Sequence, residues 1–261
     1  MKIPLFQIDA FTSRVFGGNP AAVCPLTAWL DDATLQSIAA ENNLSETAFF
    51  VGGSGSYQIR WMTPATEVDL CGHATLASGW VVMNRLEAGR DAVTFGSRSG
   101  PLTVTRQGEL LALDFPARPP EPVRDAAAVA AALGRPPREV LAGVRDALAV
   151  FETEEEVRSL KPDMARVAGL ERPGLIVTAP GRECDFVSRF FAPALGIAED
   201  PVTGSAHCTL VPYWSRRLGK DRLEARQVSA RGGELVCERK GDRVLIAGRA
   251  VPFLEGQIDL R

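Results

Sequence analysis

The stretch "DLCGHATLASGWVV" (Asp69–Val82) predicts a helix that is buried on every side, because its residues after Gly72 are apolar almost all round. Several of these residues are small, which lets neighbouring strands approach the helix closely. A second stretch, "EDPVTGSAHCTLVPYWSRRL" (Glu199–Leu218), also leads through a glycine, Gly204, into a helical pattern. We therefore expect one central helix in each half of the chain.

The segments around these two helices also repeat. "GPLTVTRQGELLAL" (Gly100–Leu113) aligns with "GELVCERKGDRVLI" (Gly233–Ile246), and weaker matches follow in the same order along both halves. Each half shows a strand, a short helix, a strand hairpin, the central helix and two closing strands. In the second half the first strand is expected over Arg138–Glu152 and the short helix over Thr153–Val167. The pattern predicts an α+β fold of two pseudo-symmetric lobes, each a curved sheet around its helix.

A proline-rich segment separates the two lobes. Successive prolines do not join a helix or a central strand, so we interpret this segment as the linker. We predict an N-terminal lobe over residues 1–117 and a C-terminal lobe over residues 118–249. Whether the last strand, residues 250–261, completes the N-terminal lobe stays open. The prolines of the linker are Pro116, Pro119, Pro120 and Pro122.

Composition excludes several classes of partner and cofactor. The net charge of −3 gives no support for a nucleic-acid surface, and no apolar run approaches the ~18 residues of a membrane span. The first residues lack a signal-peptide pattern, so we expect a cytoplasmic protein. The five cysteines form no C-x-x-C pair, and neither glycine-rich phosphate-binding motif is present. We expect no disulfide, no metal and no cofactor.

The glycines that precede the two central helices suggest a ligand site. The first turn of a helix has N–H groups without intrahelical partners, and the helix dipole favours an anion there. Gly72 and Gly204 leave room for a ligand to reach the backbone. If the lobes face each other, both helix starts would point into one cleft suited to a small carboxylate. The alternative is that both glycines are simple turn residues.

Four segments resemble the signatures of the phenazine biosynthesis PhzF-like family. They are "DAFTSRVFGGNPAAVC", "NNLSETAFF", "TPATEVDLCGHATLASGWV" and "GIAEDPVTGSAH". The family is related to diaminopimelate epimerase and proline racemase, and the resemblance extends over essentially the whole chain. It implies a diaminopimelate epimerase-like fold, in which each lobe is an antiparallel β-barrel around a helix and the site lies between the lobes. It also implies a homodimer.

The resemblance implies that Glu46, in "SETAFF", is the catalytic residue. In the family this glutamate takes a proton from one substrate carbon and returns it to another. Such chemistry suits a poorly hydrated cleft, because burial lets a carboxylate act as both base and acid. The alternative for a glutamate at the start of a strand is a solvated side chain. The corresponding stretch of the second half, "RPGLIVTA", has no acid, so only one lobe carries the base.

Other residues match the family's binding motifs. His73 would donate a hydrogen bond to the substrate or protonate it, and Asp200 would bind a substrate amine or orient His73. The substrate carboxylate would meet the start of the second central helix. His207 is not equivalent to His73 in the repeat, which argues against a metal site built from both histidines. The predicted substrate-binding residues are Gly72, His73, Asp200, Gly204 and Ser205.

Cys71 supports an alternative function. The racemase and epimerase relatives use two thiols, each directly before the glycine that leads into a central helix. In this chain Cys71 directly precedes Gly72. The residue before Gly204 is Thr203, so a two-thiol mechanism is disfavoured. Cys71 either packs as a small buried residue or assists a single base.

The sequence therefore predicts a cofactor-independent isomerase that acts on a small carboxylate or amino-acid-like substrate. There are two alternatives. One is a racemase or epimerase that uses Cys71, and the other is a non-catalytic protein that binds a small molecule in the same cleft. The "LCGHAT" segment differs from the pattern of the phenazine enzymes proper, so the phenazine substrate does not carry over.

Overall fold

The computed structural model describes residues 1–123 and 126–260. These residues divide into two compact units, each with its own core. Unit 1 comprises Met1–Asp114 and Ala247–Arg261, and unit 2 comprises Phe115–Ile246. None of the helices in the described part of the chain combines the length and apolar character that crossing a bilayer requires.

Strands outnumber helices in both units. The strands are β1 (Lys2–Ala10), β2 (Asn19–Leu26), β3 (Glu46–Gly53), β4 (Ser56–Met62), β5 (Glu67–Val68), β6 (Ala92–Ser97), β7 (Gly100–Gln107), β8 (Leu110–Pro116), β9 (Glu121–Pro122), β10 (Glu139–Ala142), β11 (Asp146–Val150), β12 (Gly174–Pro180), β13 (Phe186–Ala192), β14 (Ile197–Asp200), β15 (Arg222–Gln227), β16 (Gly233–Lys240), β17 (Arg243–Gly248) and β18 (Ala250–Asp259). The helices are α1 (Asp32–Asn42), α2 (Gly72–Val81), α3 (Ala127–Leu133), α4 (Glu154–Ser159), α5 (Met164–Ala168) and α6 (Gly204–Leu218).

The two units pair their strands in the same order. In unit 1, β1 is antiparallel to β2, β2 is parallel to β3, β3 is antiparallel to β4, and β4 is parallel to β6. Unit 2 shows the same alternation of antiparallel and parallel pairs along the strands β10, β11, β12, β13 and β15. The predicted α+β class and its internal repeat are therefore present. The final strand, β18, pairs with β1 of unit 1.

Each unit also contains two parallel strand pairs beside its antiparallel ones. Parallel neighbours need a crossover of a dozen or more residues. In unit 1, α1 lies between β2 and β3, and α2 lies between β4 and β6. The helices α1 and α2, which the sequence predicts, are thus the crossover connections between parallel strands. With them, the sheet contains both parallel and antiparallel pairs.

The central helix of unit 1 is enclosed, as its composition predicts. Residues from His73 to Gly79 are buried, and α2 packs against β1, β2, β3 and β7. A Cβ atom placed on Gly79 would lie 2.7 Å from Cγ1 of Val104 in β7. The small residues of α2 therefore allow the sheet to come closer than an ordinary side chain would permit.

The central helix of unit 2 is longer and contains a proline. Pro212 lies inside α6 and has no N–H group to donate to the carbonyl oxygen of Cys208. That oxygen instead accepts a hydrogen bond of 2.9 Å from the backbone N–H of Arg118. The segment that follows β8 is therefore hydrogen-bonded to α6 at the position where Pro212 leaves one backbone hydrogen bond of the helix unmade.

Two predicted elements differ from the structure. The strand expected over Arg138–Glu152 is two strands, β10 and β11, and the helix expected over Thr153–Val167 is two short helices, α4 and α5. Pro162 lies between α4 and α5, which explains the break. Among the linker prolines, Pro116 ends β8, and Pro122 lies in the two-residue strand β9, positions at a strand end or edge that proline tolerates.

Candidate active site

Glu46 is the first residue of β3, and its side chain is buried. It follows the end of α1, where Asn43 adopts a left-handed conformation and stops the helix. Its backbone pairs with Ala21 of the parallel strand β2. Glu46 is 8% exposed, so the alternative of a solvated glutamate at a strand end does not hold. A carboxylate in such surroundings needs polar partners, since burying an isolated charge is costly.

His73 lies in the first turn of α2 and contacts Glu46. Its Nε2 atom is 3.3 Å from Oε2 of Glu46. Its Nδ1 atom is 3.2 Å from Nδ2 of Asn19 and 3.5 Å from Sγ of Cys71. Burial lowers the pKa of His73 to about 3, so the ring is neutral at neutral pH. At neutral pH the neutral ring can donate a hydrogen bond, but it carries no extra proton that it could transfer to the substrate.

Cys71 is the residue that precedes the first turn of α2, and it is buried. Its carbonyl oxygen accepts hydrogen bonds from the N–H group and the hydroxyl of Thr75, which hold the start of the helix in place. Its thiol lies on the Nδ1 side of the His73 ring. The sequence-predicted residues Glu46, Cys71 and His73 are therefore brought together within unit 1, and Gly72 is half-buried between the last two.

These three side chains could also hold a metal ion. One ligand atom from each of Glu46, Cys71 and His73 lies within 4.8 Å of the others. However, the Cys71 thiol lies near Nδ1 of His73, while Glu46 lies near Nε2, and one ion would use only one ring nitrogen. An ion at this position would also occupy the carboxylate of Glu46. The expected absence of a metal stays a prediction.

Asn19 is a member of this cluster that the sequence analysis did not single out. It is the first residue of β2 and is fully buried. Its segment, "GGNPAAV", belongs to one of the four stretches that resemble the family. The only signal for a role was a polar amide at the start of a strand that is otherwise apolar.

In unit 2, the predicted residues lie at the start of α6. Asp200 ends β14, is 8% exposed, and accepts a hydrogen bond of 2.5 Å from the hydroxyl of Thr203. Gly204 is the first residue of α6 and is buried, and Ser205 is half-buried. An acid, a hydroxyl and a helix start are therefore adjacent, which is a suitable environment for a polar or anionic group.

Gln227 holds this segment in place, and no motif in the sequence points to it. The side chain is 1% exposed and lies at the end of β15. Its Nε2 atom donates to the carbonyl oxygen of Asp200 at 2.7 Å, and its Oε1 atom accepts from the N–H of Thr203 at 2.8 Å. One buried amide thus fixes the backbone on both sides of the turn that leads into α6.

His207 is a packing residue, in line with its interpretation from the sequence. Its Nδ1 atom is 2.8 Å from the carbonyl oxygen of Thr203, and its ring lies 5.9 Å from that of Phe186. Burial lowers its pKa to about 4. The ring is therefore neutral at neutral pH and bonded to its own helix.

Comparison with known proteins identifies the family. The family described as "Phenazine biosynthesis-like protein" (PhzC-PhzF) matches residues 8–256. An "uncharacterized isomerase" of Pseudomonas aeruginosa is 52% identical over 260 residues, which cover 100% of both chains. The crystal structure of a phenazine biosynthesis protein of the PhzF family from Enterococcus faecalis has a TM-score of 0.97 at 49% identity and covers 100% of both chains.

A more distant structure supports the fold alone. A probable proline racemase from Agrobacterium radiobacter has a TM-score of 0.66 at 11% identity, over 99% of this chain and 93% of the other. The predicted fold class is thus confirmed, and so is the predicted family. The chain belongs to the phenazine biosynthesis-like, PhzF-like family, and its enzyme class is that of an isomerase.

Proposed function

We propose that this protein is a cofactor-independent isomerase that uses Glu46 to move a proton between two carbons of a small carboxylate or amino-acid-like substrate. The observation that carries the proposal is the buried Glu46 carboxylate, with His73 Nε2 at 3.3 Å. A base that abstracts a proton from carbon must be shielded from water and held in position, and both conditions are met within unit 1.

The proposed reaction needs no oxidant or second reactant. The Glu46 carboxylate takes a proton from one substrate carbon, and the electron pair of that C–H bond delocalises into an adjacent unsaturated group. The protonated Glu46 then returns the proton to a different carbon of the same system. One C–H bond is broken and one is formed, so the product is an isomer of the substrate.

Unit 2 carries the residues to which we assign the binding of a carboxylate. In this proposal Ser205 and the N–H group of Gly204 bind the substrate carboxylate, and Asp200 binds an amine or hydroxyl. The support is the sequence repeat, the family resemblance and the position of these residues at the start of α6.

A racemase or epimerase reaction is the second candidate, and the position of Cys71 favours it. The thiol lies 3.5 Å from Nδ1 of His73, and a thiol beside an imidazole can serve as an acid–base group. Against this candidate, Thr203 occupies the corresponding place in unit 2 and donates its hydroxyl to Asp200. A non-catalytic binding protein would show neither reaction.

We also propose that the protein is a cytoplasmic homodimer. Phe16 and Phe253 of unit 1 are exposed, and their rings lie edge to face at 5.7 Å, beside the exposed Leu254. Exposed aromatic residues are enriched at protein interfaces. Light scattering tests the proposal: the unaltered chain should have the mass of a dimer, and a monomer would contradict it.

The experiment that tests the function is a screen for proton exchange in heavy water. The protein is incubated with a set of small carboxylic acids and amino acids, and mass spectrometry detects deuterium that enters a carbon-bound position. An isomerase should incorporate deuterium and form an isomer with a displaced double bond. Inversion at one carbon, without displacement, would favour the racemase instead.

A further inference from the structure

The His73 ring lies between two buried partners of different chemistry. On one side, Nδ2 of Asn19 is 3.2 Å from Nδ1, and on the other, Oε2 of Glu46 is 3.3 Å from Nε2. Asn19 is 0% exposed and His73 is 5% exposed, so water does not compete freely for either ring nitrogen. The position of the single ring proton must therefore be decided by these neighbours.

The chemistry of the amide decides it. An amide nitrogen can only donate, so the Nδ1 atom that faces it must present its lone pair. A neutral imidazole has one proton, which is then on Nε2 and faces the Glu46 carboxylate. The Cys71 thiol, at 3.5 Å from the same Nδ1 atom, is a weak donor and supports the same arrangement.

We propose that Asn19 is a positioning residue that fixes His73 in the Nε2–H tautomer, so that the protonated nitrogen is the one that lies 3.3 Å from Oε2 of Glu46. The proposal rests on the proposed function of Glu46 as the base, and it adds a residue to which no role in the reaction was assigned. The positive end of an N–H group close to a carboxylate favours the ionised form of that carboxylate, which is the form a base needs. Asn19 thus acts on Glu46 through His73.

His207 provides a contrast within the same chain. Its Nδ1 atom faces the carbonyl oxygen of Thr203, which can only accept, so its proton must be on Nδ1. The two histidines are the only ones in the chain. The structure therefore predicts opposite tautomers for His73 and His207, and a spectrum of the histidine nitrogens contains only these two rings.

The test is nitrogen NMR of the intact protein labelled with 15N-histidine, at about pH 7. Protonated and unprotonated ring nitrogens have well-separated chemical shifts, and a His207→Gln variant assigns the signals. We expect His73 to be entirely in the Nε2–H form and His207 in the Nδ1–H form. A His73 ring that carries its proton on Nδ1, or that exchanges between both tautomers, would overturn the proposal.

A variant then tests whether Asn19 is the cause. In Asn19→Asp, the ionised carboxylate accepts instead of donating, so in spectra recorded from about pH 7 to about pH 9 the proton of the neutral His73 ring should lie on Nδ1 instead of Nε2. The matched control is Asn84→Asp, which makes the same change at a half-buried amide bonded to the carbonyl oxygen of Trp80. The control should leave the His73 signals unchanged.

The His207 signals report whether the Asn19→Asp variant is folded. If they are unchanged and Nδ1 of His73 stays unprotonated over the whole pH range, Asn19 does not set the tautomer. Should Asn19→Asp fail to fold, the spectrum of the unaltered protein still decides the proposal. None of these measurements requires a substrate, so their outcome is separate from that of the proposed isomerase reaction.

Discussion

The Nε2 atom of His73 lies 3.3 Å from Oε2 of Glu46, and both side chains are buried. The contact joins the start of the central helix α2 to the start of strand β3, two places where the backbone changes from loop to regular structure. Because α2 is enclosed by the sheet of unit 1, its first turn has little freedom to move. The fold therefore holds a carboxylate and a neutral imidazole side by side before any substrate arrives.

Replacing Cys71 by alanine should have a small effect on proton exchange, within about 10-fold, because we assign no proton transfer to this thiol. The removal of one general acid or base typically costs about 100-fold to 10,000-fold. The comparison is made on a substrate found by the exchange screen. If Cys71→Ala instead lowers the rate of proton exchange by about 100-fold or more, as the removal of a general base does, the racemase would be favoured.

The free energy of unfolding should fall as the pH is lowered from about 6.5. Burial lowers the pKa of His73 to about 3 and that of His207 to about 4, below the ordinary value of 6.5. The unfolded chain therefore binds more protons in this range, and stability present above about pH 6.5 is lost on acidification. Each histidine should cost about 2 kcal/mol at pH 5, as urea unfolding would measure.

The control for this pH dependence is a variant that lacks one of the two rings. His207→Gln should show about half of the histidine-dependent decrease between about pH 7 and about pH 5, because His73 is then the one buried imidazole that takes up a proton on unfolding. A stability that is equal at the two pH values in the unaltered protein would show that the rings are not held neutral by burial.

Gln227→Leu should destabilise unit 2 and weaken substrate binding. The change leaves the N–H of Thr203 and the carbonyl oxygen of Asp200 without their side-chain partner, which costs about 1–3 kcal/mol. Because the Asp200 segment loosens, KM should rise by more than kcat falls. The matched control is Gln36→Leu, a half-buried glutamine bonded to the carbonyl oxygen of Thr63, which should leave KM unchanged. An unchanged KM in Gln227→Leu would contradict its role at the site.

Gly79→Ala should destabilise unit 1, because the added methyl group would lie 2.7 Å from Cγ1 of Val104. Overpacking of this kind costs about 1–3 kcal/mol. Gly53→Ala is the control, since nothing lies within 4 Å of a Cβ atom there. Thermal unfolding of both variants tests the close contact between α2 and β7, and equal midpoints would argue against it.

Much of the fold could be predicted from local patterns. The apolar composition of Gly72–Val81 predicts its enclosure, and the repeated segments predict two similar units. The parallel strand pairs could not be predicted in the same way, because they depend on which strands meet after a crossover. Two breaks, one at Pro162 and one between β10 and β11, divide segments that the repeat pattern predicts as single elements.

The candidate site was predicted unevenly. Glu46 and His73 stand in segments with a family resemblance, so both were found from the sequence. Asn19 and Gln227 act through hydrogen bonds to residues far along the chain, and long-range contacts of this kind leave no local pattern. Neither residue differs, by its immediate neighbours, from an ordinary polar residue at the end of a strand.

The most direct test of the proposed function is the Glu46→Gln variant, assayed for deuterium incorporation at a substrate carbon in heavy water. Glutamine keeps the shape and hydrogen-bonding capacity of the side chain but cannot take up a proton at neutral pH. We predict a loss of exchange of about 100-fold to 10,000-fold, with ligand binding and the unfolding midpoint nearly unchanged. Exchange at the rate of the unaltered enzyme in a folded Glu46→Gln protein would contradict the assignment of Glu46 as the base.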